Sequence, residues 1–421
     1  MKQTKNVPQL RFSGFDDDWE EKKLGEIVTE VKRKADSNST APVMMISATQ
    51  GFINQSEKYS ADNAGSSLKN YTLLKKGELS YNHGYSKTRN FGSCFTLEID
   101  EARIPFVYHS FSLDSDDSSF FGKYLNSGLF DKELKKRVAS TARMDGLLNI
   151  SFDEYVSLII KKPTLAEQQK IGTFLSHVDS LIQAKTKKLE SLNAVKKSLL
   201  QKCFPKAGEK VPEMRFETNQ EWTSINFEDC FSFLSNNSFS RDELNYEKGY
   251  IKNLHYGDVL IKFDEVLNVS NASLPYITKI NSPKKYSKAI LKNGDIVIAD
   301  AAEDNTVGKC TEIQNCTELL AAGLHTIAVR PKIEFASSFL GFCINSESFH
   351  NQLLPLIQGT KVSSISKSAI LDTVIYYPKS ITEQQKIGEF FSKYVSLISA
   401  QQKEIDKLKD IKKALLQKMF V

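Results

Sequence analysis

The 421-residue sequence is short of almost everything that marks an enzyme. It has no GxxxxGK[ST] phosphate loop, no GxGxxG opening a helix, no HExxH and no GxSxG. It also lacks an Asn-Pro-Pro-Tyr-like tetrapeptide of the kind that amino-methyltransferases use to hold a target amine. The six cysteines show no CxxC spacing, which leaves reduced structural thiols as the expectation. His83, His109, His177, His255, His325 and His350 are not spaced as metal ligands, and the acidic runs at Asp16–Asp18 and Asp114–Asp117 read as solvated loops. No catalytic residue and no metal ligand is therefore assigned. No apolar run is long enough to cross a bilayer, and MKQTKNVPQL lacks the apolar core of a signal peptide, so a cytoplasmic protein without membrane contact is expected. The net charge of +5 comes from 56 basic and 51 acidic residues, too even a balance to establish nucleic-acid binding by itself.

What the chain does have is a repeat. Residues 164–204 and 380–420 align without a gap: Glu167 matches Glu383 at an offset of 216, and the same offset carries Leu181 onto Leu397 and Phe204 onto Phe420. Each copy reads as a long helix. Thr164 and Ser380 stand three residues before Glu167 and Glu383, the spacing of a capping box. Ile171, Leu175, Val178, Ile182, Leu189, Leu192 and Leu199 follow a four-three spacing, and Ile387, Phe391, Tyr394, Ile398, Ile405, Leu408 and Leu415 repeat it. This pattern predicts a coiled-coil seam, with Lys185 and Gln401 as polar register-setting positions.

The segments between the helices form two heads, and the repeat extends into them more weakly. Pro8, Arg11, Phe12 and Trp19 recur as Pro212, Arg215, Phe216 and Trp222, and Asn126-Ser127 as Asn345-Ser346. Both heads contain short strand-like runs bounded by Gly, Asn, Asp and Ser, with turns expected at Gly77 and Gly294. The expected fold is α+β. Two globular heads, 1–163 and 220–379, alternate with helices at 164–204 and 380–421 that pair as an antiparallel coiled coil, and 205–219 is a linker. Such pairing would relate the two halves by a pseudo-two-fold axis.

The heads carry the polar loops that DNA reading requires. In the first, NHGYSKTRNFG supplies Tyr85, Lys87, Arg89 and Asn90. Arginine can make two hydrogen bonds to guanine, and asparagine two to adenine. The equivalent loop of the second head, ADAAEDNTVGK, is acidic apart from Lys309; there Glu303 or Asp304 could accept from a cytosine amino group. Arg143 and Lys361, in a later loop of each head, are further candidates for phosphate or base contact. Basic clusters at Lys32–Lys34, Lys75-Lys76, Lys135–Arg137 and Lys284-Lys285 all lie outside the helices. A coiled-coil scaffold whose heads bind protein rather than DNA is the alternative.

Two divergent heads, each left through an EQQKIG helix that ends in KK-x-LLQK-x-F, resemble the specificity subunit of Type I restriction-modification systems. The resemblance rests on Glu167–Gly172, Glu383–Gly388, Leu199–Lys202 and Leu415–Lys418 and covers essentially the whole chain. It implies a noncatalytic subunit of an adenine-methyltransferase and restriction complex, whose two target-recognition domains each bind half of a split site on double-stranded DNA. It also implies two modification subunits that use S-adenosylmethionine, and restriction subunits that use ATP and Mg, with no cofactor on this chain. Helices of about 38 residues, roughly 57 Å at about 1.5 Å per residue, would set the spacer. Glu167, Gln168, Gln169 and Lys170, with Glu383, Gln384, Gln385 and Lys386, are then the expected docking face for partners.

Overall fold

A computed structural model describes residues 6–36, 38–58, 65–138, 148–206, 208–217, 220–278, 287–359 and 361–421. The long helices run Leu165–Cys203 and Ile381–Met419, each uninterrupted for 39 residues. The chain divides into two compact units, one formed by Met1–Thr186 with Glu404–Val421 and the other by Lys187–Lys403. The boundaries therefore fall inside the helices. Each unit contains one head, the start of the helix that follows it and the end of the other helix.

Each head has its own sheet, and the two sheets have the same strand order. In the first unit an antiparallel sheet runs Val28–Glu30, His109–Leu113, Leu79–Asn82, Ser93–Thr96. In the second the same order appears as Phe231–Phe233, Thr326–Pro331, Ile296–Ala299, Cys310–Gln314, with Val266–Asn268 added in parallel at the edge. Gly77 and Gly294 precede equivalent central strands at φ of 85° and 84°, the left-handed turn that the sequence predicts there. The paired asparagines have equal roles. Asn126 Oδ1 accepts from the Cys94 amide and Asn345 Oδ1 from the Cys310 amide, both at 3.0 Å, so each continues a strand ladder with a side chain. The heads diverge outside this sheet. The first adds two hairpin-like ribbons, Met44–Ser47 with Gly51–Asn54 and Thr72–Lys75 with Glu101–Ile104. The second adds a four-stranded sheet containing Leu244–Asn245, Tyr276–Ile277, Lys252–Leu254 and Leu320–Ala322.

The EQQKIG motif joins helix to head. Arg11 grips Glu167 through two hydrogen bonds of 2.7 and 2.8 Å, and Arg215 grips Glu383 at 2.7 and 2.9 Å. The capping box is consequently incomplete. Ser380 Oγ still accepts from the Glu383 amide at 3.2 Å, but the carboxylate is turned to arginine. Gln168 donates to the Pro163 carbonyl and accepts from the Asp117 amide; Gln384 does the same with Pro378 and Ala336. A Cβ on Gly172 would lie 2.7 Å from Asp117 Oδ1, and one on Gly388 2.7 Å from the Ser337 carbonyl, so only glycine lets the helix approach the head this closely. Phe12 meets Phe174 edge-on at 5.6 Å and Phe216 meets Phe390 at 5.4 Å.

This arrangement corrects the expected docking face. Glu167, Gln168, Glu383 and Gln384 are buried at 0–1% exposure, because a carboxylate and an amide inside the chain need partners there and find them in the head. Gln169, Lys170, Gln385 and Lys386 are exposed. Even so, Lys170 lies over the Phe12 ring at 5.2 Å, Lys386 pairs with Glu217 at 3.0 Å, and Gln385 donates to Glu389.

Each helix ends inside a head. In the first unit Phe420 packs at 5.5 Å against Phe120 and 5.2 Å against Tyr124, and the Leu10 amide donates to the Lys418 carbonyl. In the second, Phe204 packs at 5.8 Å against Trp222 and 6.1 Å against Phe339, and the Met214 amide donates to the Lys202 carbonyl. Within the first unit the helix segments run antiparallel, since Asp179 pairs with Lys412 and Lys185 with Glu404. No seam residue is exposed; Ile171, Leu175, Ile387, Phe391 and Ile405 are fully buried. Gln401, the counterpart of Lys185, is buried as well.

Candidate nucleic-acid interface

The connection that leaves the equivalent inner strand, Leu79–Asn82 in the first head and Ile296–Ala299 in the second, occupies the same place in the strand order of both heads. In the first head Asn82 pairs with Ser93, leaving 83–92 as the connection. Its root is fixed by His83, whose ring nitrogens lie 2.6 Å from the Leu148 carbonyl and 2.8 Å from that of Val107. The Leu148 amide also donates to the His83 carbonyl at 2.8 Å. At the other end Gly92 adopts φ 79°, where a Cβ would lie 2.5 Å from the Asn82 carbonyl. Between these anchors Tyr85 is 63% exposed, and Lys87 and Asn90 are exposed. Arg89 is half-buried; desolvation lowers its pKa, opposed by the charge of Asp131. Arg143 lies outside the described residues, as do Lys284 and Lys285. The contacts of Leu148 with His83 bring residue 148 to the root of the Tyr85 loop.

In the second head the equivalent connection folds onto a neighbouring loop. Ala301 pairs with Ser364 and Ala302 with Ser363, which sets Glu303 and Asp304 beside the loop carrying Lys361. All three are exposed. Asp304 accepts from the Thr306 amide at 2.9 Å and from its hydroxyl, bonds that hold its carboxyl below the ordinary range. Lys309 is a correction. Its ammonium donates to the carbonyls of Leu260 and Phe263 at 2.8 and 3.0 Å, and burial pushes its pKa down. An ammonium committed to two main-chain acceptors is a structural tie, not a contact offered to a ligand.

The sequence reading missed His325 and Asp300, which stand at this same edge. The Asp300 amide donates to the His325 carbonyl at 3.1 Å, and the Ile365 amide donates to the Asp300 carbonyl at 2.9 Å. Burial raises the Asp300 carboxyl pKa, opposed by His325. Neither residue belongs to a recognisable motif; only the fold brings positions 300, 325 and 365 together.

A second missed feature was legible from the 216-residue offset. Leu165 and Ile381 are each 44% exposed, Leu181 and Leu397 are 45% and 48%, and Val195 and Ile411 are 47% and 43%. Apolar side chains left exposed at the same positions of both helix copies form matched sets, Leu165, Leu181 and Ile411 in one unit and Ile381, Leu397 and Val195 in the other. Among the described residues no group of histidine, cysteine or carboxylates could hold a metal ion. No described helix is long and apolar enough to cross a membrane.

Comparison with known proteins agrees with this architecture. Residues 219–410 match the family model of the Type I restriction modification DNA specificity domain. The Type I restriction enzyme MjaVIII specificity subunit of Methanocaldococcus jannaschii is 26% identical over 290 residues, covering 66% of this chain and 64% of that relative. The Type I restriction-modification S subunit from M. genitalium has the same fold, with a TM-score of 0.56 over 99% of both chains at 14% identity. A chain from a structure on complex assembly and conformational transition of the Type I R-M system gives 0.55 over 97% of this chain and 99% of that one, also at 14% identity. The family model spans the second head and most of the second long helix, and the chain is similar in sequence and in fold to specificity subunits of Type I restriction-modification systems.

Proposed function

We propose that the chain is the noncatalytic, DNA-reading subunit of a Type I restriction-modification complex, with each head reading one half of a bipartite site in double-stranded DNA. The observation that carries this reading is the matched pair of tip loops, on sheets of equivalent strand order, with different chemistry. The first head offers Tyr85, Lys87 and Asn90, and the second Glu303, Asp304 and Lys361. Amides and cations suit adenine and guanine edges, whereas carboxylates suit the cytosine amino group, so two equivalent scaffolds would select different bases. The two long helices would set the unread spacer, each about 58 Å long at about 1.5 Å per residue.

Two modification subunits would dock on the helices, and the exposed apolar pairs support this better than the buried glutamates and glutamines. Exposed apolar residues that recur at the same positions of both helix copies suit two copies of one partner. The modification subunits would carry S-adenosylmethionine, and restriction subunits ATP and Mg. In a cell expressing the chain with its modification partner, exchanging residues 15–160 for another head should change one half-site in the methylated motif and leave the other intact. If both halves change, the heads are not independent readers.

A further inference from the structure

We infer that His325 reads a base edge in the second head, presenting a hydrogen-bond acceptor to an exocyclic amino group of the second half-site. This deepens the reading above and rests on it. His325 adopts φ 54°, in the left-handed region that most residues avoid. Its turn is firmly built. The Gly323 amide donates to Leu254, the Thr326 hydroxyl to Gly323, and Asn236 Nδ2 to the Thr326 carbonyl at 2.9 Å. Backbone strain in a rigid turn needs a return, and the described contacts within the fold give little: the side chain is 52% exposed. It touches Tyr256 edge-on at 5.3 Å and places Nδ1 3.4 Å from Asp300 Oδ1.

That carboxylate sets the chemistry. A neutral ring that turns its Nδ1 proton toward Asp300 leaves Nε2 as an acceptor. Asp300, Glu303 and Asp304 are acceptors too, so the edge is poorly suited to a phosphate, which their charges repel, and well suited to the amino group of cytosine or adenine. Lys361 is the exposed cation on the adjoining loop, where it can meet the backbone beside the base.

The test replaces His325 with glycine, which tolerates the left-handed turn without strain. A purely structural histidine predicts that H325G is at least as stable as the parent and reads the same motif. Base reading predicts an unchanged or raised unfolding midpoint together with about tenfold or more methylation of sites differing at one base of the second half, the first half staying intact. Modified-base sequencing of cells expressing the variant with its modification partner measures this. His325→Asn is the second variant: it also tolerates the turn but has a shorter reach, and the same outcome is expected. Unchanged second-half stringency in both stable variants overturns the role of His325 while leaving the DNA-reading function standing. A parent chain that directs its modification partner to no defined motif overturns both.

Discussion

Phe420→Ala is expected to destabilise the unit formed by Met1–Thr186 and Glu404–Val421 by about 3–5 kcal/mol. The ring is 4% exposed and sits in one apolar cluster with Trp19, Phe120, Phe121, Tyr124, Ile171 and Leu175. Truncating it removes contacts with Phe120 and Tyr124 and leaves a cavity whose walls belong to the short helix Ser118–Tyr124. Because Ile171 and Leu175 line the same cluster, the loss should reach the start of the first long helix. Hydrogen exchange should show protection falling at Phe120–Tyr124 while Phe339–Ile344, the corresponding helix of the other unit, keeps its protection. Phe204→Ala should reverse the pattern, since Phe204 packs against Trp222 and Phe339. Equal loss in both helices from either variant would mean that the terminal phenylalanines do not act head by head.

Arg215→Ala should cost the second unit about 3–5 kcal/mol, for a different reason. The side chains of Arg215 and Glu383 are 9% and 2% exposed, and the pair is bidentate. Removing the guanidinium strands a carboxylate away from water, and that penalty exceeds the worth of the pair itself. The double variant Arg215→Met with Glu383→Leu removes both charges and should recover most of the loss. Denaturant unfolding of the parent, single and double variants measures this directly. A double variant no more stable than Arg215→Ala would show that the pair supplies attraction beyond relieving a buried charge.

The duplicated pattern was largely legible because it is local. The four-three spacing from Ile171 to Leu199 reports a helix face, and Gly77 and Gly294 report turns, without reference to distant residues. The purpose of EQQKIG was not legible, because its partners lie far away in sequence: Arg11 is 156 residues from Glu167 and Arg215 is 168 from Glu383. Arg-Phe and Glu-Gln-Gln both recurred in the sequence, yet nothing local says that one grips the other. An exposed polar helix start was the natural expectation, and burial reversed it for Gln168 and Gln384. The same limit applies at the tip loops. Lys309 looked like the one cation of an acidic loop until the fold brought the carbonyls of Leu260 and Phe263 to it, and His325 acquired its place only through the strand order. Each helix begins in one compact unit and ends in the other, where Phe204 or Phe420 packs into the core of the unit that the helix end belongs to.

The most direct measurement is the pattern of methylated adenines in DNA from cells expressing this chain with a modification subunit. Two heads with different tip chemistry, carried on one duplicated scaffold, predict a single asymmetric motif made of two short defined halves separated by unspecified bases of fixed number. A continuous motif, two identical halves, or methylation that does not depend on this chain would contradict that reading.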